Sequence, residues 1–130
     1  MTEGGKEIIV PKKGARPIGP YSPAVRVSGG LVFFSGQIPI DPETGGLVGP
    51  DIQSQTRRCL ENLQILLEAA GLNCTHVVKT TVYLVDMTDF SAMNEVYATF
   101  FPQDPPARTT VAVAALPRGA RIEIEAIAMG

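Results

Sequence analysis

Residues 105–113 read PPARTTVAV, and residues 121–127 read RIEIEAI. Threonine, valine and isoleucine are frequent in both stretches, and this composition is typical of β-strands. The segment between them, Leu116-Pro117-Arg118-Gly119, predicts a turn, because proline and glycine interrupt regular structure. We therefore expect the chain to end in two strands that pair with each other.

The alternation of side chains along these strands places two charged residues together. Successive side chains of a strand point to opposite faces of a sheet. If the two strands pair and their apolar faces meet one core, Arg108 and Glu123 point away from that core together. A fixed cation beside a carboxylate would suit a small anion. An ordinary cross-strand ion pair explains the same pattern, and spacing alone favours it, because structural pairs outnumber catalytic ones.

Length and composition indicate one globular domain. The chain has 130 residues, a length typical of a single domain, which we expect to span residues 1–130 with residues 1–13 as an N-terminal extension that includes the first short strand. Charged residues make up only 18%, which suggests that a partner chain covers part of the surface. A net charge of −2 and a pI near 5.3 make a nucleic-acid partner unfavourable.

The sequence contains no segment that predicts a membrane, metal or redox function. No apolar run is long enough to span a bilayer, and the N-terminus lacks the apolar core of a signal peptide. Cys59 and Cys74 have neither metal-ligand spacing nor a secretory context, so we expect free thiols in a reducing compartment, the cytoplasm. With a single histidine and no CxxC motif, we expect neither a metal nor an organic cofactor.

The remaining chain predicts alternating strands and helices. Asp51 would cap the first helix and Gly71 would follow its end, while Asp89 would cap the second. Ser28-Gly29-Gly30 predicts a hairpin turn. Predicted strands lie at 7–10, 25–27, 31–34 and 77–85, and predicted helices at 51–70 and 90–101.

This order predicts an α+β domain of two layers, in which a mixed sheet carries two helices on one face. The other face would carry Arg108 and Glu123 together with Ala112 and Ile127. A face of small, apolar and charged residues is poorly suited to water alone. We therefore expect copies of the chain to cover it and to form sites in the clefts between them.

Three further positions have two interpretations each. Tyr21 lies between Pro20 and Pro23, and it forms either the wall of a pocket or an anchor for its loop. Gly36 follows a strand, and it either lets another group approach the backbone or marks a bulge. His76 has no titratable neighbour in sequence, so a surface or hydrogen-bonded histidine is favoured over a functional one.

Six motifs together resemble the RidA/YjgF/UK114 family, whose members are also labelled L-PSP endoribonuclease or translation inhibitor. The similarity runs from about Gly14 to the end of the chain, and the motifs keep the order and spacing of the family. They are Ile18-Gly19-Pro20-Tyr21-Ser22, Ser35-Gly36-Gln37-Ile38-Pro39, Val78-Lys79-Thr80-Thr81-Val82, Asn94-Glu95-Val96-Tyr97, Pro106-Ala107-Arg108 and Arg121-Ile122-Glu123-Ile124-Glu125-Ala126.

The resemblance implies a subunit similar to the chorismate mutase of bacilli, assembled as a homotrimer with ligands in the three clefts between subunits. It implies hydrolytic deamination of reactive 2-enamino and 2-imino acids, such as 2-aminoacrylate, to 2-keto acids and ammonia. An enzyme with this activity is classified as a 2-iminobutanoate/2-iminopropanoate deaminase, a hydrolase acting on C–N bonds. The resemblance implies no metal, no cofactor and no membrane.

The resemblance also assigns roles to single residues. Arg108 would bind the substrate carboxylate through two hydrogen bonds, and Glu123 would position the attacking water. Tyr21 would come from the adjacent subunit and close the pocket. Contacts to substrate or water would come from the backbone of Gly36 and Thr110, with Ser35 and Asn94 nearby. Many bacterial members have cysteine where this chain has Thr110, so a thiol reaction at that position is excluded. With these roles, the resemblance favours a site over a structural ion pair.

Two other functions remain open at this point. The labels of the family suggest a single-stranded RNA endoribonuclease that inhibits translation, although the acidic pI and the single histidine argue against it. A non-catalytic module that binds small acids in the same cleft would need Arg108 but would not need Glu123.

Overall fold

The computed structural model describes residues 3–14 and 16–130 and has the predicted two-layer α+β architecture, in which a six-stranded sheet carries two helices on one face. All predicted helices and strands are present, and their ends lie within about two residues of the expected positions, except that β3 continues to Gln37. The strands are β1 Lys6–Ile9, β2 Ala24–Val27, β3 Leu31–Gln37, β4 Val77–Leu84, β5 Ala107–Ala112 and β6 Ile122–Met129, and the helices are α1 Ile52–Ala69 and α2 Phe90–Phe100.

The order of the strands across the sheet is β1-β2-β3-β6-β4-β5. Only the pair of β4 and β5 is parallel, and the other neighbours are antiparallel. A parallel pair needs a crossover connection, and α2 supplies it between β4 and β5. The expected pairing of the last two strands is therefore wrong. The crossover returns the chain to the outer edge of β4, while β6 inserts between β4 and β3.

Helix α1 forms where the sequence combines a cap with an apolar stripe. The carboxylate of Asp51 accepts a hydrogen bond from the backbone N–H of Ser54 at 2.8 Å, which confirms Asp51 as the N-cap. Gly71 follows the end of the helix with φ of 76°, a conformation that favours glycine. The predicted stripe is buried against the sheet through Ile52, Thr56, Cys59, Leu60, Leu63, Leu66, Leu67 and Ala70.

The prediction that the side chain of Asp89 caps α2 is wrong. Asp89 makes no capping hydrogen bond, and both of its carboxylate oxygens accept from the Arg121 guanidinium at 2.8 and 2.9 Å. Arg121 also donates to the backbone carbonyl of Pro50 at 2.9 Å. The Asp89 carboxylate thus binds Arg121 instead of the N-terminus of α2. Through Asp89 and Pro50, Arg121 links the N-terminal ends of both helices to the start of β6.

The face of the sheet opposite the helices is open and carries a group of exposed apolar side chains. One row of residues in register crosses the strands through Ile8, Val25, Phe33, Ile127 and Lys79. Five apolar side chains on this face are between 37% and 47% exposed, namely Ile8, Leu31, Phe33, Val111 and Met129. Four of these side chains lie on β1, β3 and β6, in the half of the sheet away from β5, and exposed apolar side chains gathered in this way are typical of an interface.

The Asp89–Arg121 pair yields a test of the fold. Arg121→Leu leaves the buried Asp89 carboxylate without its partner, so we expect the free energy of unfolding to fall by about 2 kcal/mol, the contribution of hydrogen bonds to a charged group. Urea denaturation at fixed protein concentration measures this change. The matched control is Arg57→Leu, an exposed arginine on α1. A loss no larger than that of the control would contradict the assigned role.

Candidate functional site

The seven candidate site residues fall into two groups on opposite faces of the sheet. Arg108 pairs in register with Thr80, whose side chain is buried under the helices, whereas Glu123 pairs with Tyr83 on the open face. β4 separates their strands, so strand spacing and offset place their Cα atoms roughly 14 Å apart. The expectation that Arg108 and Glu123 share a face is therefore wrong, and Ala112 likewise lies on the helix face, because its register partner is the buried Leu84.

The first group surrounds the guanidinium of Arg108 with residues of α2. Arg108 donates a hydrogen bond from Nη1 to Oδ1 of Asn94 at 2.7 Å. Its guanidinium carbon lies 4.8 Å from the ring centre of Tyr97 and 5.4 Å from that of Phe90. These three α2 residues are spaced by four and three positions, so they lie on one side of the helix. The aromatic faces stabilise the cation and hold it in place.

Arg108 has no acidic partner within residues 3–14 and 16–130. The interpretation of Arg108 and Glu123 as an ordinary cross-strand ion pair is therefore wrong. A guanidinium has five N–H donors, and the bond to Asn94 occupies one of them. This half of the site can accept a carboxylate through two parallel hydrogen bonds, the geometry in which arginine binds planar anions most strongly.

Thr110 lies two residues beyond Arg108 on the same face of β5. Its hydroxyl oxygen is buried and has no hydrogen-bond partner in the described part of the chain. A buried polar atom without a partner is unfavourable, so the free hydroxyl is a second unsatisfied group beside the guanidinium. The resemblance to the family implies a role for the backbone of Thr110, whereas the unsatisfied hydroxyl is a feature that only the structure shows.

The second group lines a cavity of about 290 Å³ on the other side of the sheet. Ser35 and Tyr21 both line it, and their hydroxyls are engaged locally. The Ser35 hydroxyl donates to the carbonyl of Ser22 at 2.6 Å, and the Tyr21 oxygen accepts from the N–H of Ile18 at 3.2 Å. Tyr21 is thus held in place while the residue as a whole stays 46% exposed. The cavity is lined by Ile18, Tyr21, Ser35, Gly36, Ile38, Pro117 and Glu123.

Gly36 lies in a bulge and also lets another group approach the backbone, so both interpretations of this glycine apply. The register between β3 and β6 shifts between Phe34 and Gln37, so Gly36 lies in a bulge. A Cβ atom at Gly36 would lie 1.9 Å from Oε2 of Glu123. A side chain at this position would therefore force the Glu123 carboxylate to move from the place that it occupies in the cavity.

Two carboxylates neighbour each other on the open face of β6. Burial raises the pKa of Glu123, and the charge of Glu125 raises it further. The Tyr83 hydroxyl donates a short hydrogen bond to Glu125, and this bond, together with burial, raises the pKa of Tyr83 to about 12. Glu125 thus remains an acceptor of the Tyr83 proton, while Glu123 holds its own proton to higher pH than an ordinary glutamate.

Several residues near the two groups were not identified from the sequence. The α2 stripe of Phe90, Met93 and Tyr97 is apolar, and its periodicity indicated only a core position. Tyr97 does pack in the core, where its hydroxyl contacts that of Thr80 at 2.7 Å, yet one ring face meets Arg108. The cavity-lining Ile38 and Pro117 lie in loops far apart in sequence, and no local pattern links them.

The other polar candidates serve the fold. His76 accepts a hydrogen bond from the N–H of Asn73 at 3.1 Å in a capping box, so its side chain is structural. Cys59 and Cys74 are free thiols, and burial raises the pKa of both. No group of three potential metal-ligating side chains occurs in the described residues. Neither helix described here is long and apolar enough to cross a membrane.

Comparison with known proteins gives a consistent result across nearly the whole chain. The family described as endoribonuclease L-PSP matches residues 12–130. A RutC family protein of Pyrococcus horikoshii is 54% identical, with 95% of this chain and 97% of the relative covered. The 2-iminobutanoate/2-iminopropanoate deaminase of Mus musculus is 47% identical, with 95% and 91% covered. The crystal structure of E. coli TdcF with bound serine matches with a TM-score of 0.90 and 42% identity, over 95% of this chain and 98% of that chain.

The coupling between the two carboxylates is testable by titration. Glu125→Gln removes a negative charge beside Glu123, so we expect the pKa of Glu123 to fall, while remaining above its ordinary value because burial persists. Carboxyl ¹³C NMR measures this shift. The same variant should bring the pKa of Tyr83 down from about 12, as followed by phenolate absorbance.

A matched control for this titration is Glu43→Gln, which removes a charge from an exposed loop. The control should leave both pKa values unchanged. An unchanged Glu123 pKa in Glu125→Gln would show that the two carboxylates are not electrostatically coupled.

Proposed function

We propose that this chain, which belongs to the endoribonuclease L-PSP family, is a deaminase. It would hydrolyse 2-imino acids to 2-keto acids and ammonia. Relatives of the chain carry the name of this activity. The observation that supports the proposal best is the unneutralised Arg108, a half-buried cation held by Asn94 and two aromatic rings without an acidic partner in the described chain. Such a group suits the carboxylate of a small acid.

The two groups would act on opposite ends of the same substrate. Arg108 would bind the carboxylate, and Glu123 would accept a proton from a water that attacks C2 of the imine. Binding the water and the imine side by side lowers the activation free energy, because the entropic cost of bringing them together is paid on binding. This effect reaches about 7–11 kcal/mol in well-oriented systems. An imine of this kind is already electrophilic, so this orientation is enough without a metal or an organic cofactor.

A single copy of the chain cannot bring the two groups together. The Cα atoms of Arg108 and Glu123 are roughly 14 Å apart with β4 between their strands. Their side chains leave opposite faces of the sheet, so a small imino acid cannot contact both within one copy. We therefore place the complete site between copies, with Arg108 from one copy and the cavity of Tyr21, Gly36 and Glu123 from the next. The homotrimer implied by the resemblance fits this arrangement, and the exposed apolar face around Phe33 would be its interface.

The substrate would be a small 2-imino acid formed in the cytoplasm. A solved relative, E. coli TdcF, contains bound serine, so the shared fold accommodates a molecule of this size. The buried free Cys59 and the half-buried free Cys74 suit a reducing compartment.

The family description keeps a ribonuclease as the second candidate. RNA hydrolysis by acid–base catalysis would need two proton-transferring groups near a phosphate. The single histidine is committed to its capping box, and the cavity offers one carboxyl, that of Glu123. RNA cleavage that vanishes in both Arg108→Ala and Glu123→Gln would favour this candidate instead.

The deaminase proposal predicts distinct effects for three variants. A dehydratase acting on threonine supplies the imine, and keto-acid formation is followed. Arg108→Ala should lower kcat/KM about 100-fold or more, because hydrogen bonds to a charged group contribute about 1.5–3 kcal/mol each. Glu123→Gln should lower kcat by a similar factor, since acid–base groups contribute about 10²–10⁴-fold. The matched control Arg57→Ala, an exposed arginine on α1, should keep full activity.

Each alternative outcome has a defined meaning. Full activity in Arg108→Ala would remove the carboxylate-binding mechanism. Full function in Glu123→Gln with loss of binding in Arg108→Ala would instead indicate a non-catalytic module that binds small acids. Circular dichroism and gel filtration establish that each variant is folded and assembled like the wild type.

A further inference from the structure

The cavity on the open face contains a single strong candidate for proton exchange. Ser35 uses its hydroxyl proton in the bond to Ser22, and Ile18, Ile38 and Pro117 contribute apolar surface. Glu123 has no hydrogen-bond partner within the residues that the structure describes. The Tyr21 oxygen is engaged as the acceptor of the Ile18 N–H. The carboxyl of Glu123 is therefore the group that can both release and accept a proton here.

The proposed substrate requires a group that can transfer a proton to one of its carbon atoms, C3. A 2-enamino acid has a nucleophilic C3, and its C2 becomes electrophilic only after C3 receives a proton. Hydrolysis of the enamine form therefore needs one proton transfer to carbon before water can add. Neither Arg108 nor Asn94 can supply it, because the guanidinium stays protonated and an amide is not acidic.

We infer that Glu123 also exchanges a proton with C3 of the substrate, so that this cavity is a tautomerase for enamine–imine and enol–keto pairs of short 2-oxo acids. This inference rests on the proposed function for the substrate class. In the forward step the O–H bond of the Glu123 carboxyl breaks, and the C2=C3 electron pair forms the new C3–H bond. The nitrogen lone pair forms the C=N bond, which leaves an iminium ion and a Glu123 carboxylate.

The same carboxylate then serves the hydrolytic step. It accepts a proton from water as the water oxygen bonds to C2, which returns Glu123 to its carboxyl form. Collapse of the carbinolamine moves the hydroxyl proton to nitrogen through Glu123, and ammonia leaves. One enamine and one water thus give one keto acid and one ammonia, and Glu123 ends each turnover as it began.

Two features of the cavity suit this exchange. The Glu123 carboxylate reaches the cavity because Gly36 has no side chain, since a Cβ there would lie 1.9 Å from Oε2. Burial and the neighbouring Glu125 raise the pKa of Glu123, so more of it carries a proton near neutral pH than an ordinary glutamate would. Both the acid and the base form are then accessible in one cycle.

Hydrogen exchange in 2-oxobutanoate tests the inference without an imine. In D₂O, a Glu123 carboxylate that removes a proton from C3 and returns deuterium lowers the intensity of the methylene signal in the ¹H NMR spectrum, first to half of its starting value. Wild-type protein should accelerate this loss about 100-fold or more over buffer. Glu123→Gln should reduce the exchange to the buffer rate. Glu68→Gln, which changes an exposed glutamate on α1, is the matched control and should exchange as fast as wild type.

A second variant guards against a folding defect in the first. Gly36→Ala retains the carboxyl but displaces it, so it should also lose the exchange. Because the cavity is chiral, wild-type exchange should replace one of the two C3 hydrogens much faster than the other and pause at the monodeuterated stage. Equal loss of both hydrogens at the buffer rate would overturn the inference.

Deamination measured in parallel separates the two proposals. Accelerated deamination with exchange at the buffer rate would overturn the tautomerase and leave the deaminase intact. Accelerated exchange without deamination would support the tautomerase and remove the deaminase. Acceleration of both, with both lost in Glu123→Gln, is the result that we expect.

Discussion

The position of β4 between β5 and β6 is the constraint on which the rest of the structure depends. In a sheet, residues that pair in register share a face. Thr80 of β4 therefore assigns Arg108 to the helix side, and Tyr83 of β4 assigns Glu123 to the open side. Because β4 pairs with both strands, no rotamer change brings the two side chains together within one copy. The central strand thus keeps a cation and a carboxylate apart.

This separation keeps the two opposite charges from neutralising each other within one copy. An arginine paired with its own glutamate would lose its capacity for a substrate carboxylate, and the glutamate would be held ionised at low pKa. Here Arg108 contacts Asn94 and two aromatic rings, and the pKa of Glu123 is raised by burial and by Glu125. A subunit that carries two unsatisfied half-sites and an exposed apolar sheet face would gain stability from self-association.

Local patterns in the sequence predicted most of the fold but not the pairing of its strands. The Asp51 cap, the apolar stripe of α1 and the Gly29-Gly30 hairpin are local features that residues within a few positions determine. The insertion of β6 between β3 and β4 depends on contacts across the whole chain, so the two C-terminal strands were paired wrongly. Asp89 has the local pattern of a helix cap, and its actual partner, Arg121, lies 32 residues away. A local pattern cannot indicate a partner at that distance. Strand alternation and the motifs of the family single out Arg108 and Glu123, whereas the position of β4 between their strands shows that they lie on opposite faces.

The most direct test of this account mixes two inactive variants. Subunits with Arg108→Ala and subunits with Glu123→Gln are unfolded together in equal amounts and refolded into mixed oligomers, and imine hydrolysis is measured. If each site takes Arg108 from one copy and Glu123 from another, random assembly restores roughly a quarter of the sites, and activity returns in that proportion. If one copy supplied both groups, no mixed site would be intact. Activity that stayed at the level of the separate variants would then contradict the account.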